Sequence, residues 1–370
     1  MKKIELTLVW LILIFISIFI VLRSNDSSTT FSVDIVDDVI HDKYEKNSDE
    51  YYTYRIQKDE KALKSYSWDL ILYDNLAVAY DHIWKLDKAL EIYKIKEDLM
   101  EKREYDMQNW YRYYANLWTF LIHHGIKGWF KDKSDTKSQD LIVEGRNDIQ
   151  KAIEINIDAH FWRENYQLIA NDWIISAFKN PLVMTSQNML QKTSIDPLLL
   201  TSDNSWKSCW EKYHDIYPIT KKVGKTVDEQ IYDSCPMALK WVIWMVRFWW
   251  GPSPYSFVTV GDILTAMWEY KLAFASYTRA VNMKHPNSGE ITKYSEKLAQ
   301  KIYPTLSPQE AFEKLQNQYN SDYKVWSDWS NKYLEYQKNI IVEWKDPTLT
   351  ESYDDFYRKY KHPVDVEYER

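Results

Sequence analysis

Glycine and cysteine are the scarce residues of this 370-residue chain, with seven glycines, two cysteines and eleven prolines. So few turn formers exclude a fold of many short strands joined by tight hairpins. Long stretches rich in Lys, Glu, Leu, Ala and Tyr read as helix instead. An excess of basic charge is also missing. A net charge of −7 does not suit a nucleic-acid binder, whose contact face is basic. It suits a solvated acidic surface that tolerates neutral or basic partners. Cys209 and Cys235 have no Cys or His neighbour at metal-ligand spacing. No metal and no cofactor is therefore expected. The two cysteines either pair, as an exported chain allows, or stand as two buried thiols.

One long hydrophobic run is present. Lys2 and Lys3 precede an apolar stretch over residues 6–22, closed by Arg23 and the polar Ser24 to Thr30. As a helix it spans about 25 Å, enough to enter and nearly cross a bilayer core. It exceeds the usual apolar region of a cleaved signal peptide, and no small-x-small cleavage site follows. Residues 1–23 are thus expected to form an uncleaved signal anchor, a transmembrane helix. The two lysines favour a cytoplasmic N-terminus, which leaves residues 24–370 outside. Residues 24–65 carry Asp34, Asp37, Asp38, Asp49 and Glu50 and read as a polar stalk and lead-in.

From residue 66 the pattern turns periodic and amphipathic. The segment 70–103 places Leu76, Ala77, Tyr80, Ala89 and Tyr93 where two packed helices need large and small apolar residues. A second unit starts at Tyr111 with Leu117, Leu121 and Gly125; an insertion at 129–141 displaces its second helix, which resumes at 142–156 with Ala152. A third runs over 254–287 with Gly261, Leu264, Ala273, Tyr277 and Ala280, closed by Pro286. At these spacings the chain resembles the tetratricopeptide repeat family, whose 34-residue unit is a helix-turn-helix. The block from Ala115 to Glu164 is similar to a group of bacterial proteins with such repeats. The resemblance implies an all-α fold, a tetratricopeptide-type solenoid behind an N-terminal transmembrane helix. Its repeats cover 66–178 and 236–306, separated by an irregular linker over 179–235. Ser307-Pro308-Gln309-Glu310 reads as a capping box opening a terminal capping helix. Residues 307–370 would hold that helix and a charged, peripheral tail.

Tryptophan is as abundant as glycine is rare, with eighteen residues. Trp84 and Trp268 both fall at the turn between the two helices of a unit, where a left-handed, glycine-favouring residue is common. Trp118 takes the small position held by Ala77 and Gly261 in the other units, where an indole would overpack the interface. Trp162 and the pair Trp249-Trp250 stand at turns as well. Two readings account for this. Several tryptophans are glycine in the natural protein, as when an organism reading UGA as glycine has its gene translated with UGA as tryptophan. Alternatively, the solenoid is Trp-rich and lined with aromatic grooves.

Motifs for chemistry are weak. Gly224-Lys225-Thr226 lacks the glycine five places earlier that a phosphate loop needs, since Ile219 stands there. Trp206-Lys207-Ser208, read with glycine at 206, fails likewise. His123 and His124 are adjacent and would point to different helix faces, so they do not readily share a metal. Cys209 and His214 lack a third orienting group. Asp37-Asp38 and Asp354-Asp355 read as solvated charge. No enzyme is expected, the alternative being an envelope hydrolase with a site in 180–235.

Binding is better supported. In tetratricopeptide geometry the first helix of each unit lines the concave surface. The resemblance therefore implies a partner site at Asp74, Asn75, Asp81, His82, Arg112, Asn116, His123, Tyr255 and Asp262. Asn75 and Asn116 occupy the position from which the family commonly bonds a peptide backbone. This acid-and-amide lining would suit an extended segment with some positive charge. The expected protein is a single-pass scaffold of the bacterial cell membrane, with an extracytoplasmic domain that binds a peptide or protein, and with membrane contact through residues 6–22.

Overall fold

The computed structural model describes residues 33–102, 106–156, 163–197, 200, 209, 212–213, 227–248, 251–343 and 345–360. The expected anchor, Trp162, the pair Trp249-Trp250, His214 and both Gly-Lys motifs lie outside these residues. Among the described residues the fold is all-α, with one isolated bridge between Gln187 and Thr193. No described helix is long and apolar enough to cross a membrane.

The helices in chain order are α1 (Val33–Ile40), α2 (Asp49–Leu63), α3 (Leu70–His82), α4 (Leu86–Glu101), α5 (Met107–Lys131), α6 (Thr136–Ile155) and α7 (Arg163–Lys179). There follow α8 (Val183–Ser186), α9 (Val227–Phe248), α10 (Pro254–Ala266), α11 (Tyr270–Asn282), α12 (Ser288–Ile302), α13 (Pro308–Val342) and α14 (Asp354–Lys359). Their starts are written locally. Asp69, Asp106 and Asp135 each accept the backbone N–H two residues on, at 2.9, 2.9 and 3.1 Å, which satisfies an otherwise orphaned donor. The expected capping box is present: Ser307 Oγ accepts Glu310 N at 3.3 Å, and Glu310 Oε2 accepts Ser307 N at 3.0 Å.

Consecutive helices pack as hairpins, α3 on α4, α5 on α6 and α10 on α11. The first and third turn at Trp84 and Trp268, with φ of 61° and 64°. Trp84 N bonds Asp81 O and Lys85 N bonds Tyr80 O, both at 2.9 Å; Trp268 N bonds Thr265 O at 3.1 Å and Glu269 N bonds Leu264 O at 2.9 Å. Both are Schellman stops, in which the left-handed residue is usually glycine. Close approach inside the third hairpin is equally clear. A Cβ on Gly261 would lie 2.5 Å from the Tyr277 ring.

The second hairpin departs from expectation. Gly125 does not turn the chain; α5 runs on to Lys131, so the insertion lengthens this helix and α6 begins at Thr136. Gly125 instead lets α6 approach, since a Cβ there would meet Ile142 at 2.7 Å. Trp118 stands where this pair approaches closely. Its side chain is wholly buried in the main core, and the close contact comes from Gly145, where a Cβ would sit 3.3 Å from the Trp118 carbonyl oxygen.

Two further corrections concern the ends. Residues 33–48 are not a free stalk: Val36, Val39, Ile40 and Tyr44 are buried in the main core, and α1 packs on α9 and α11. Its valines and isoleucine recur at helical spacing, so one face is apolar despite the acidic residues between. Arg279 holds this segment, donating to Ile40 O at 2.6 Å and forming an ion pair with Asp42 at 3.2 Å. The tail is not peripheral over 346–360. Tyr353 and Phe356 pack on Trp326, Trp329 and Tyr333 of α13, and Asp346 pairs with Lys58 at 2.8 Å. The boundary expected after residue 235 falls inside α9. Cys209 and Cys235 form a disulfide, which selects one of the two alternatives left open by sequence.

Candidate partner-binding site

The polar residues expected to line a groove divide into three groups. On α3 and α5 they join neighbouring helices. Asp74 Oδ1 accepts Tyr93 Oη at 2.5 Å, Lys96 Nζ at 2.5 Å and Asn116 Nδ2 at 3.3 Å. Lys96 is wholly buried, and burial lowers its amine pKa despite that carboxylate. Asp81 is buried between both histidines, with His123 Nδ1 at 2.7 Å and His124 Nε2 at 3.4 Å. Burial would raise its carboxyl, but the two imidazoles bring it down to about 2. The histidines thus do converge, on a carboxylate. No group of three or more His, Cys, Asp or Glu among the described residues could hold a metal.

A second group remains at the surface. Asn75 is half-buried and Arg112 exposed. His82 is exposed at the end of α3, with its ring stacked on Tyr52 at 4.1 Å between centroids.

The third group lies on α10. Tyr255 is half-buried among the rings of Phe130, Trp173 and His285. Asp262 is wholly buried and does not face a groove open to a partner. Oδ2 accepts Asn188 Nδ2 at 2.9 Å; Oδ1 accepts Ile195 N at 2.9 Å and Tyr277 Oη at 2.8 Å. Burial raises its carboxyl, against the opposing pull of Lys212 and these donors. One helical turn earlier, Thr259 Oγ1 accepts Met189 N at 3.0 Å.

The first helix of the third hairpin therefore holds a stretch of the chain's own backbone. That stretch is shaped for the task. Asn188 N donates to Lys192 O at 2.8 Å, and Asn188 Oδ1 accepts Leu190 N at 3.1 Å and Lys192 N at 3.2 Å. Gln191 and Ile195 take positive φ, 59° and 46°. Met189 and Leu190 are buried beneath. Sequence reasoning missed Thr259, Asn188 and Lys96. Thr259 carried a usable signal, because it stands at the same place in its unit as Asn75 and Asn116. Asn188 carried none, since its pairing with Asp262 spans 74 residues.

The described part of the irregular segment is packed structure. With Cys209 in the disulfide, a Cys209–His214 nucleophile is excluded in this oxidised state. No family model, no curated protein and no solved structure matches the chain.

Proposed function

We propose that the chain is a membrane-anchored, extracytoplasmic scaffold of tetratricopeptide type that binds a peptide or protein through the first two helical hairpins. The single observation carrying this is on α10. There Thr259 and Asp262 accept the backbone N–H groups of Met189 and Ile195, so the first helix of one unit captures a turn of backbone through polar side chains. The third unit is occupied from within. The corresponding surface of the first two, with Asn75 and Arg112, is left for a partner in trans. A Cys209–Cys235 disulfide supports an oxidising location outside the cytoplasm. The apolar run over 6–22 supports the anchor.

The test is a pull-down from native membranes with the full chain, comparing wild type with Asn75→Ala/Arg112→Ala. Neither residue hydrogen-bonds to Asp74 or Asp81, so folding should persist, as checked by melting. Loss of a partner recovered by the wild type is expected. Equal recovery by both would remove the first two hairpins as the site.

A further inference from the structure

The helices close into a circuit. From α2 to α7 each packs on the next, α7 packs on α9, and the neighbours continue through α10, α11 and α12 to α13, which returns to α2. Every link but the last is apolar. One cluster joins α2, α3 and α4, a second joins α3, α4 and α5, the main core runs from α5 to α12, and another joins α11, α12 and α13. Among the described residues no apolar cluster holds side chains of both α2 and α13.

That last seam is polar. Gln337 is wholly buried in it. Its Oε1 accepts Ser48 N at 2.7 Å, and its Nε2 donates to Asn47 Oδ1 at 3.1 Å and to Tyr353 Oη at 2.9 Å. Two solvated ion pairs cross the same seam, Lys338 with Glu50 at 3.0 Å and Lys58 with Asp346 at 2.8 Å. A cleft of about 550 Å3 between Asp49, Glu50, Leu334 and Lys338 leaves it open to solvent on one side. Residues 45–48, which lead into α2, carry no regular secondary structure. The chain before them is firmly held. Arg279 bonds Ile40 O and pairs with Asp42, Tyr357 Oη donates to Glu45, and Lys43 pairs with Asp37 at 2.6 Å. Burial would raise that Asp37 carboxyl, but His41 and Lys43 hold it down at about 2.

We infer that α2, α3 and α4 form a gate, which closes on α13 through this seam and opens there while the main core stays folded. Solvated ion pairs are individually weak and are screened by salt. Hydrogen bonds beside an open cleft exchange for bonds to water at little net cost. Shared apolar clusters make α2, α3 and α4 move together. Their pivots are the segment 45–48 at one end and α5, which belongs to both the second cluster and the main core, at the other. Such local opening costs less than unfolding the chain. It breaks the circuit sideways, so that the middle of a partner chain enters without threading an end. The gate rests on packing alone and stands or falls independently of the groove proposed on the first two hairpins.

Hydrogen exchange of the full chain in detergent, read by mass spectrometry over residues 46–50, tests the gate. Raising salt from about 0.1 M to about 1 M shortens the screening length from about 10 Å to about 3 Å and should speed exchange there about three- to tenfold. Exchange in α10 and α11 should stay unchanged. Lys58→Glu/Lys338→Glu sets like charges at both pairs and should give the same gain at low salt. Adding Glu50→Lys and Asp346→Lys restores opposite charges and should close the seam again, which separates opening from misfolding. A carbodiimide should join Lys58 to Asp346 and Lys338 to Glu50 as amides, and the chain locked in this way should lose its salt response. Exchange over 46–50 that ignores both salt and charge reversal, that rises only together with exchange in α10 and α11, or that keeps its salt response in the locked chain overturns the proposal.

Discussion

Trp84 and Trp268 hold the same left-handed backbone conformation at the same point of two hairpins separated by about half of the chain, φ 61° and 64°. Both indoles are largely solvent-exposed, at 50% and 42%. Core packing therefore does not require the side chain, while the backbone disfavours any Cβ. Replacing either by glycine is expected to raise stability by about 1 kcal/mol, read from chemical denaturation. The gain should be clearer at 268, because the Trp84 ring also carries Lys127 at 3.5 Å. Lys284, with φ 61° at a third stop of this type, provides the comparison, and Lys284→Gly should gain similarly. No gain at 268 would show that the turn tolerates a side chain freely.

The same positions bear on the identity of the native residues. Trp118, Trp173 and Trp326 fill buried volume, whereas Trp84 and Trp268 are exposed. Peptide mass mapping of the protein purified from its own source is expected to find glycine at 84 and 268. Tryptophan at both would remove UGA reassignment as an account of the composition.

Asp74 is the counter-charge of a lysine with no exposed surface. Asp74→Ala would leave Lys96 buried and uncompensated, and Tyr93 without its acceptor. A loss of about 3–5 kcal/mol is expected, measured by urea unfolding. The double change Asp74→Ala/Lys96→Met should recover much of it. A loss below about 1 kcal/mol would place Lys96 in water.

Asn188 and Asp262 give a pH-dependent variant. Asn188→Asp would set two carboxyl groups against each other in the core, so one must keep a proton, with its folded pKa raised. A raised pKa contributes stability at low pH that is lost as pH rises through the folded value. The variant's melting temperature should therefore fall further below wild type at pH 7 than at pH 5. A gap independent of pH would mean that the loop leaves Asp262.

Asp37 acts in the opposite sense. Its carboxyl is held down at about 2, from an ordinary value of 3.8. The stabilisation is complete above the ordinary value and is lost as pH falls through about 2. It should amount to about 1–2 kcal/mol, allowing for partial exposure. Asp37→Asn should accordingly flatten the decline in stability between pH 4 and pH 2, followed by circular dichroism.

Much of the local architecture was legible in the residues. The capping box at Ser307 and Glu310, the turns at Trp84 and Trp268 and the close approach at Gly261 all depend on neighbours a few positions away. Backbone conformation and hydrogen-bond geometry decide such features locally. The length of α5 was misjudged because glycine at 125 serves a turn and a helix crossing equally well, and only the opposite helix distinguishes them. The apolar face of α1 was present but masked by its aspartates.

The sequence by itself determined the all-α character of the described residues, the turns at Trp84 and Trp268 and the scarcity of any catalytic motif. Tertiary structure alone decided which of the polar residues expected in a groove are bonded to the chain itself. Asn188 reaches Asp262 across 74 residues, and Arg279 reaches Ile40 across 239. No local propensity encodes such pairings; burial and unsatisfied hydrogen-bonding groups select them only once the helices have packed.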